Sequence, residues 1–328
     1  MSLISLFDSF RGKRILVVGD LMLDSYIIGN VSRISPEAPV PVLDKTSAEF
    51  RLGGAGNVAL NLASLGATPI IASVIGKDTS GSKILDILKD SGASCSCIVE
   101  TPTRKTTVKT RVVANKQQVI RIDEEQTDDI SGELKNILLK NIQTEIDNGI
   151  EAIIFEDYNK GVLTEELIAD LIALSLKHNV FTAVDPKNKN FFAYKGVHLF
   201  KPNLKELKEG LQTIIDPSNL ESIENAVNLL EKKIENKITF VTLSEHGVFI
   251  KDQSKSMHVG AHIRNIADVS GAGDSVIATA TLCLAAGASL AEIAEIANIA
   301  GGLACEKSGV ATISIDELRR ESLRLLTH

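Results

Sequence analysis

The sequence predicts an α/β fold, a three-layer sandwich with a mostly parallel central sheet and a small β lid. Three observations predict it. Short apolar runs alternate with helical patterns along the chain, most runs end in a polar residue, and two stretches break the alternation.

Ile15–Val18 leads into Gly19-Asp20, and Ala152–Phe155 into Glu156-Asp157. Val180–Val184 leads into Asp185-Pro186, Val197–Phe200 into Lys201-Pro202-Asn203, and Ile238–Thr242 into Leu243-Ser244. Continuous apolar runs of this length suit strands buried on both faces of a parallel sheet. Helical periodicity fills Gly132–Asn148, Thr164–His178 and Leu220–Ile234, and strand–helix alternation argues for a doubly wound sheet. Ligands of such sheets bind beyond the carboxyl ends of the strands, where Asp20, Glu156, Asp157, Asp185 and Asn203 fall.

The first exception is Tyr26–Asp44, Pro-rich through Arg33–Val42. The second is Thr106–Asp123, where Val108, Thr110 and Val112 alternate with Lys109, Arg111 and Val113 and the chain turns at Asn115-Lys116. Insertions at about 26–45 and 106–123 are expected to form one β lid or dimer surface on a single domain spanning 1–328.

Of 328 residues, 44% are hydrophobic and 23% charged, which excludes disorder as the main state. The net charge of −7 disfavours sequence-independent nucleic-acid binding but allows a local basic pocket for a phosphorylated ligand. Cys95, Cys97, Cys283 and Cys305 lack metal-ligand spacing and read as free thiols of a reducing compartment. The six histidines (His178, His198, His246, His258, His262, His328) show no ligand spacing either. Met1–Lys13 has no signal-peptide pattern, and no apolar run approaches the ~20 residues of a membrane helix, so a cytoplasmic, non-membrane protein is expected. Neither a G-x-S-x-G element nor a P-loop is present.

The strongest motif is Asp268–Ser275, with Gly271, Ala272 and Gly273 just before an apolar helix, Val276–Ala286. Such glycines let backbone N–H groups converge, and the helix N-terminus adds partial positive charge, which together form an anion hole suited to phosphate. Asp274 caps the helix or, with phosphate in the hole, takes a proton from an attacking hydroxyl. A second motif, Leu52–Asn57, carries Gly53, Gly54 and Asn57 before the helix Val58–Leu65. Its glycines permit close approach of a polar ligand, and Asn57 can donate to and accept from sugar hydroxyls. No clear strand precedes it and its spacing is not that of a dinucleotide fingerprint. In the third, Asn203 and Glu206 stand one helical turn apart, as a capped helix start or as an oxygen pair for hydrated Mg²⁺. Arg33, Lys160 and Lys187 are surface charges or, near strand ends, cations for a substrate phosphate.

Leu52–Gly66 and Asp268–Ser275 resemble the two signatures of the PfkB/ribokinase family of sugar kinases. Gly19–Asp24, Ser32–Val42, Lys109–Asp123, Asp157–Gly161 and Asp185–Lys187 resemble more closely its D-glycero-β-D-manno-heptose-7-phosphate kinase branch, the kinase domain of bacterial ADP-heptose synthases. The resemblance implies a ribokinase-like fold and an ATP- and Mg²⁺-dependent kinase acting on the anomeric hydroxyl of a heptose 7-phosphate, in ADP-heptose (lipopolysaccharide core) biosynthesis. It implies Asp274 as base and Gly271, Ala272 and Gly273 as anion hole. It further implies Asn203 and Glu206 on Mg²⁺ through water, and Asp20, Gly53, Gly54 and Asn57 on sugar hydroxyls. Ser244, Gly247 and Asn298 border the nucleotide, with Leu243 where relatives commonly carry a cation. Arg33, Lys160 and Lys187 are assigned to the substrate phosphate. A homodimer through the lid is expected. Some relatives are activated by a monovalent cation, for which this sequence carries no signal. The bifunctional enzymes carry a nucleotidyltransferase domain whose H-x-G-H element is absent here, so this chain alone is not expected to make the nucleotide sugar. The alternatives are a kinase of another sugar or sugar phosphate (fructose 1-phosphate, a nucleoside), or a catalytically inactive sugar- or nucleotide-binding regulator.

Overall fold

The computed structural model describes residues 2–115, 117–262 and 264–326, so Lys116 of the expected turn and His328 lie outside the described residues. The chain opens with α1 (Leu3–Asp8) and β1 (Arg14–Gly19), then two long strands, β2 (Leu21–Ile34) and β3 (Pro41–Gly54). It continues through α2 (Ala55–Ser64), β4 (Thr68–Gly76), α3 (Thr79–Asp90), β5 (Ser94–Thr101), β6 (Thr107–Ala114) and β7 (Gln117–Glu124). The middle of the chain forms α4 (Gly132–Asp147), β8 (Ala152–Glu156), α5 (Glu165–His178), β9 (Phe181–Asp185) and β10 (Leu199–Phe200). Next come α6 (Leu204–Leu211), α7 (Leu220–Ile234), β11 (Ile238–Thr242), β12 (Val248–Lys251) and β13 (Ser256–Val259), and the chain closes with α8 (Ala272–Ala285), α9 (Leu290–Cys305) and α10 (Ile315–Leu326).

The main sheet has nine strands in the order β13-β12-β11-β10-β9-β8-β1-β4-β5. From β11 to β5 every pairing is parallel, and β12 and β13 add an antiparallel edge. Alternate residues of the central strands serve opposite faces. Ile15 and Val17 join one core with α2, α3, α8 and α9, whereas Leu16 and Val18 join another with α4, α5, α6 and α7. Two-sided burial is why β1 and β8 read as unbroken apolar runs. The helices start where the sequence supplies caps: Ser131, Thr164 and Asn219 each accept from a first-turn N–H.

The lid is a separate four-stranded sheet in the order β3-β2-β6-β7. Its strands β2 and β3 reach inward to Leu21 and Gly54, past the bounds of about 26–45 expected for the first insertion. Three boundaries differ from expectation. A strand does precede Gly53: β3 runs straight into it, and its outer half is so exposed that it lacks an apolar signature. The helices α2 and α8 begin at Ala55 and Ala272, which puts Asn57, Gly273 and Asp274 inside first turns. The expected strand Val197–Phe200 pairs only at Leu199–Phe200.

Candidate active site

The chain leaves β1 toward β4 on one side and returns to β8 on the other, so a crevice opens at the carboxyl ends of β1, β8 and β9. Asp20 directly follows β1, Glu156 ends β8 and Asp185 ends β9, and all three are buried. The N-terminus of α8 points Asp274 at the same place. Asn57 Nδ2, from the first turn of α2, donates to Asp274 Oδ2 at 2.5 Å, and Ser275 Oγ donates to Asn61 Oδ1 at 2.9 Å. The early and late glycine motifs, more than 200 residues apart in sequence, therefore face one another across two helix N-termini.

Gly271 caps α8 with φ +79°, in the left-handed region, and a Cβ there would stand 2.8 Å from Asn57 Nδ2. Glycine is required on both counts. Ala272 and Gly273 follow in the first turn, and Gly273 lies alongside Asp185 and the Lys201 ammonium. The orphan N–H groups and the helix dipole make this an anion site.

Burial pushes the Asp274 carboxyl up to about 6, with Asp185 adding to the rise, while Asn57, Lys201 and Tyr158 hold it down. The Tyr158 hydroxyl donates to Asp274 Oδ1 at 3.3 Å. A buried carboxylate of this proton affinity suits general-base work near neutral pH. Glu156 is driven well above the carboxylate range by burial and by facing Asp185 and Asp274. Lys201 Nζ, itself buried, pairs with Asp185 at 2.8 Å, and Lys187 pairs with Glu206 and lies 3.8 Å from Asp185.

The other expected residues divide into groups. Asp20 accepts from the backbone N–H groups of Tyr158, Lys160 and Val162, so its carboxylate folds the loop after β8 over the crevice. Burial raises it to about 6. Gly53 sits beside Asp24, and Gly54 caps α2 with φ +58°. Asp24 pairs with Arg111 at 2.5 Å across the lid. Lys160 pairs with Glu125 at 2.8 Å and lines a small recess with Asp20, Arg104, Lys105 and Thr107. Asn203 and Glu206 form a reciprocal capping box on α6, the helix-start reading of that motif. Gly247 and Asn298 converge on Gly260, Asn298 Nδ2 donating to its carbonyl at 2.9 Å, and Ser244 stands exposed at the tip between β11 and β12. Leu243 is buried.

The structure does not bring Arg33 into the cluster. It is 68% exposed near the far end of β2, about 40 Å along the strand from Asp20 at ~3.3 Å per residue. Two members of the cluster, Tyr158 and Lys201, have no role in the sequence reading, and Glu156 and Asp185 figure there only as strand-end acids. Their signal is positional: each lies at or just after a strand end, beside a residue already singled out.

A glycine-capped helix N-terminus, an acid in its first turn and cations beside it define an enzyme of phosphoryl transfer. The profile of the pfkB family of carbohydrate kinases matches residues 13–317, and the chain belongs to that family. It is a phosphotransferase acting on a sugar hydroxyl. The bifunctional protein HldE of Sulfurimonas denitrificans is 39% identical over 305 residues, covering 93% of this chain and 63% of that protein. The bifunctional protein HldE of Helicobacter pylori strain Shi470 is 40% identical over 306 residues, covering 93% and 65%. The chain thus spans just under two thirds of the length of these relatives. In fold it is similar to phosphofructokinase-2 of Escherichia coli in complex with potassium (TM-score 0.78, 23% identity, 94% of this chain and 97% of that one). It is also similar to Arabidopsis thaliana ribokinase complexed with ribose and ATP (TM-score 0.72, 18% identity, 97% and 99%). The fold is ribokinase-like. Among the described residues no helix is long and apolar enough to cross a membrane.

Proposed function

We propose that the chain transfers the γ-phosphoryl group of ATP to the anomeric hydroxyl of D-glycero-β-D-manno-heptose 7-phosphate. The observation that carries this reading is the Asn57–Asp274 contact. A residue suited to sugar hydroxyls touches a buried carboxylate at a phosphate-binding helix N-terminus. The identity to the HldE proteins over 93% of the chain, together with the heptose-kinase resemblance of the strand-end motifs, supports the choice of sugar.

In this mechanism the sugar lies against Asn57 and Asp274, and Asp274 accepts the hydroxyl proton as the oxygen attacks the γ-phosphorus and the bond to the departing ADP breaks. The Gly271, Ala272 and Gly273 amides stabilise the charge that develops on the transferring group. Lys160, with Arg104 and Lys105, faces the sugar phosphate, and Lys187 stands nearer the transferring group. Ser244, Gly247 and Asn298 border the adenine. The carboxylate and amide oxygens of Asn203 and Glu206 suit a hydrated magnesium ion, which those residues would hold through water and which neutralises phosphate charge when bound. The apolar face of the lid pairs two chains.

A coupled ADP-release assay over a panel of sugars tests the reading. Heptose 7-phosphate is expected to exceed unphosphorylated heptose and ribose in kcat/KM by roughly 10² or more, because a site built for a charged phosphate leaves cations unpaired without it. Preference for an unphosphorylated sugar overturns the assignment.

A further inference from the structure

Four buried polar side chains form a line across the starts of α2 and α8. Ser275, Asn61 and Asn57 are each 1% exposed, and Asp274 is 5% exposed. Ser275 Oγ donates to Asn61 Oδ1 at 2.9 Å. Asn61 Nδ2 donates to the Asn57 backbone carbonyl at 2.9 Å and to Asn57 Oδ1 at 3.3 Å, and Asn57 Nδ2 donates to Asp274 Oδ2. Asn57 and Asn61 stand four residues apart on α2, so they share one face of the helix. Asn61 and Ser275 take no part in the chemistry proposed above.

The order of donors and acceptors along this line is fixed by one group. A backbone carbonyl only accepts, so the Asn61 amide turns its NH₂ toward Asn57 and its oxygen toward the Ser275 hydroxyl. Facing that NH₂, the Asn57 side chain presents its oxygen, which leaves its own NH₂ toward Asp274. Turning the Asn57 amide over would set two NH₂ groups against each other in a buried site, where unpaired polar groups are costly. The direction matters to the carboxyl. An amide NH₂ bonds the ionised form of Asp274, whereas an amide oxygen would accept from the protonated form. Hydrogen bonds to the charged form favour it, and hydrogen bonds to the neutral form oppose it. A protonated Asp274 beside an Asn57 free to turn would gain a partner and keep its proton.

We propose that Asn61 is a positioning residue: by holding the Asn57 amide with its NH₂ toward Asp274, it keeps that carboxyl ready to accept a proton. Its effect on turnover rests on the reading of Asp274 as the base, while its effect on the carboxyl rests on the hydrogen bonds alone. Asp185, Glu156, Lys201 and Tyr158 also face Asp274, from the ends of β8, β9 and β10 and the residues just beyond them. All four are present in every variant named below, so a change at Asn61 is read against a constant background of charge.

The test reads the carboxyl directly. The full chain is labelled with ¹³C at its aspartate carboxyls, and the Asp274 resonance is identified by its loss in Asp274→Asn. Its titration is expected to lie higher in Asn61→Leu than in the wild type by roughly half a pH unit or more, the scale of one net hydrogen bond. Asn61→Val, which also lacks an amide, serves in the same way if the leucine variant misfolds. In an Asn57→Leu background, adding Asn61→Leu is expected to shift the titration no further, because the intermediary is gone. A titration unmoved in both variants, with only the melting temperature lowered, makes Asn61 structural and overturns the proposal. An undiminished further shift in the Asn57→Leu background overturns it too. The acid limb of kcat/KM is measured separately. A limb that moves with the carboxyl upholds both readings, and a carboxyl that moves while the limb stays upholds the role of Asn61 and removes Asp274 as the base.

Discussion

At the scale of single residues, the site sets one carboxylate against competing influences. Burial and Asp185 raise Asp274 to about 6, and the Asn57 amide and Lys201 resist the rise. A general base works only when ionised, so kcat/KM is expected to fall as pH drops through about 6, and a pH–rate profile reads that limb directly. Asn57→Leu removes a hydrogen bond that favours the ionised form. The carboxyl should therefore hold its proton to higher pH, and the acid limb should move upward. A limb that stays in place would show that Asn57 does not set the basicity of Asp274. For Asp274→Asn, turnover should drop by roughly 10²–10⁴, the usual contribution of a positioned base. A melting temperature near that of the wild type would show that the loss is chemical, and near wild-type turnover would remove Asp274 from the mechanism.

At the scale of elements, the anion hole is a helix start, and its glycine can be separated from an ordinary helix stop. Gly271 and Gly287 bracket α8, both with φ near +80° (+79° and +76°). An alanine at either position incurs about 1–2 kcal/mol of left-handed strain. At Gly287 nothing stands within 4 Å of the new Cβ, whereas at Gly271 it meets Asn57. Both variants should unfold at lower denaturant, but only Gly271→Ala should lose turnover, by roughly tenfold or more, since removal of a single transition-state donor costs 10²–10³. Equal turnover in the two variants would exclude the hole from the chemistry. The same contrast shows how far the sequence could be read. Glycines and an acid before an apolar helix announce α8, and two-sided burial announces β1, β8, β9 and β11. The outer half of β3 leaves no such trace, because a strand covered on neither face has no apolar period. Lys201 and Glu156 are marked in the sequence only by their places at strand ends, because burial of a lone charge is decided by what packs around it. Arg33 looked plausible because a strand's length cannot be judged from a Pro-rich stretch.

At the scale of the whole molecule, the two sheets divide the work. The nine-stranded sheet is sealed by helices on both faces, and the lid is not. Register gives the lid two unlike faces. Ile120, Val112, Ile27 and Ala48 align in one row across its four strands, with Ile122, Thr110, Ser25 and Phe50 in the next but one. The opposite face carries Arg121, Arg111, Tyr26 and Glu49, then Asp123, Lys109, Asp24 and Arg51, continuous with the cleft through the Asp24–Arg111 pair. Ile120 and Ile122 are 53% and 48% exposed. An apolar sheet face with free edges is an aggregation hazard unless something covers it, and a second copy of the chain offers a face of the same polarity. Light scattering coupled to size exclusion should give twice the chain mass. Ile120→Lys with Ile122→Lys should give the single mass, because each buried interface would then carry four uncompensated ammonium groups. A wild-type monomer, or a double-lysine variant that stays paired, would mean that the lid meets no second copy. If the variant is monomeric, its KM for sugar is expected to rise more than its KM for ATP, since the inner lid face carries Asp24 and Gly53 beside the proposed sugar site, while Ser244, Gly247 and Asn298, proposed to border the adenine, lie around the far edge of the main sheet.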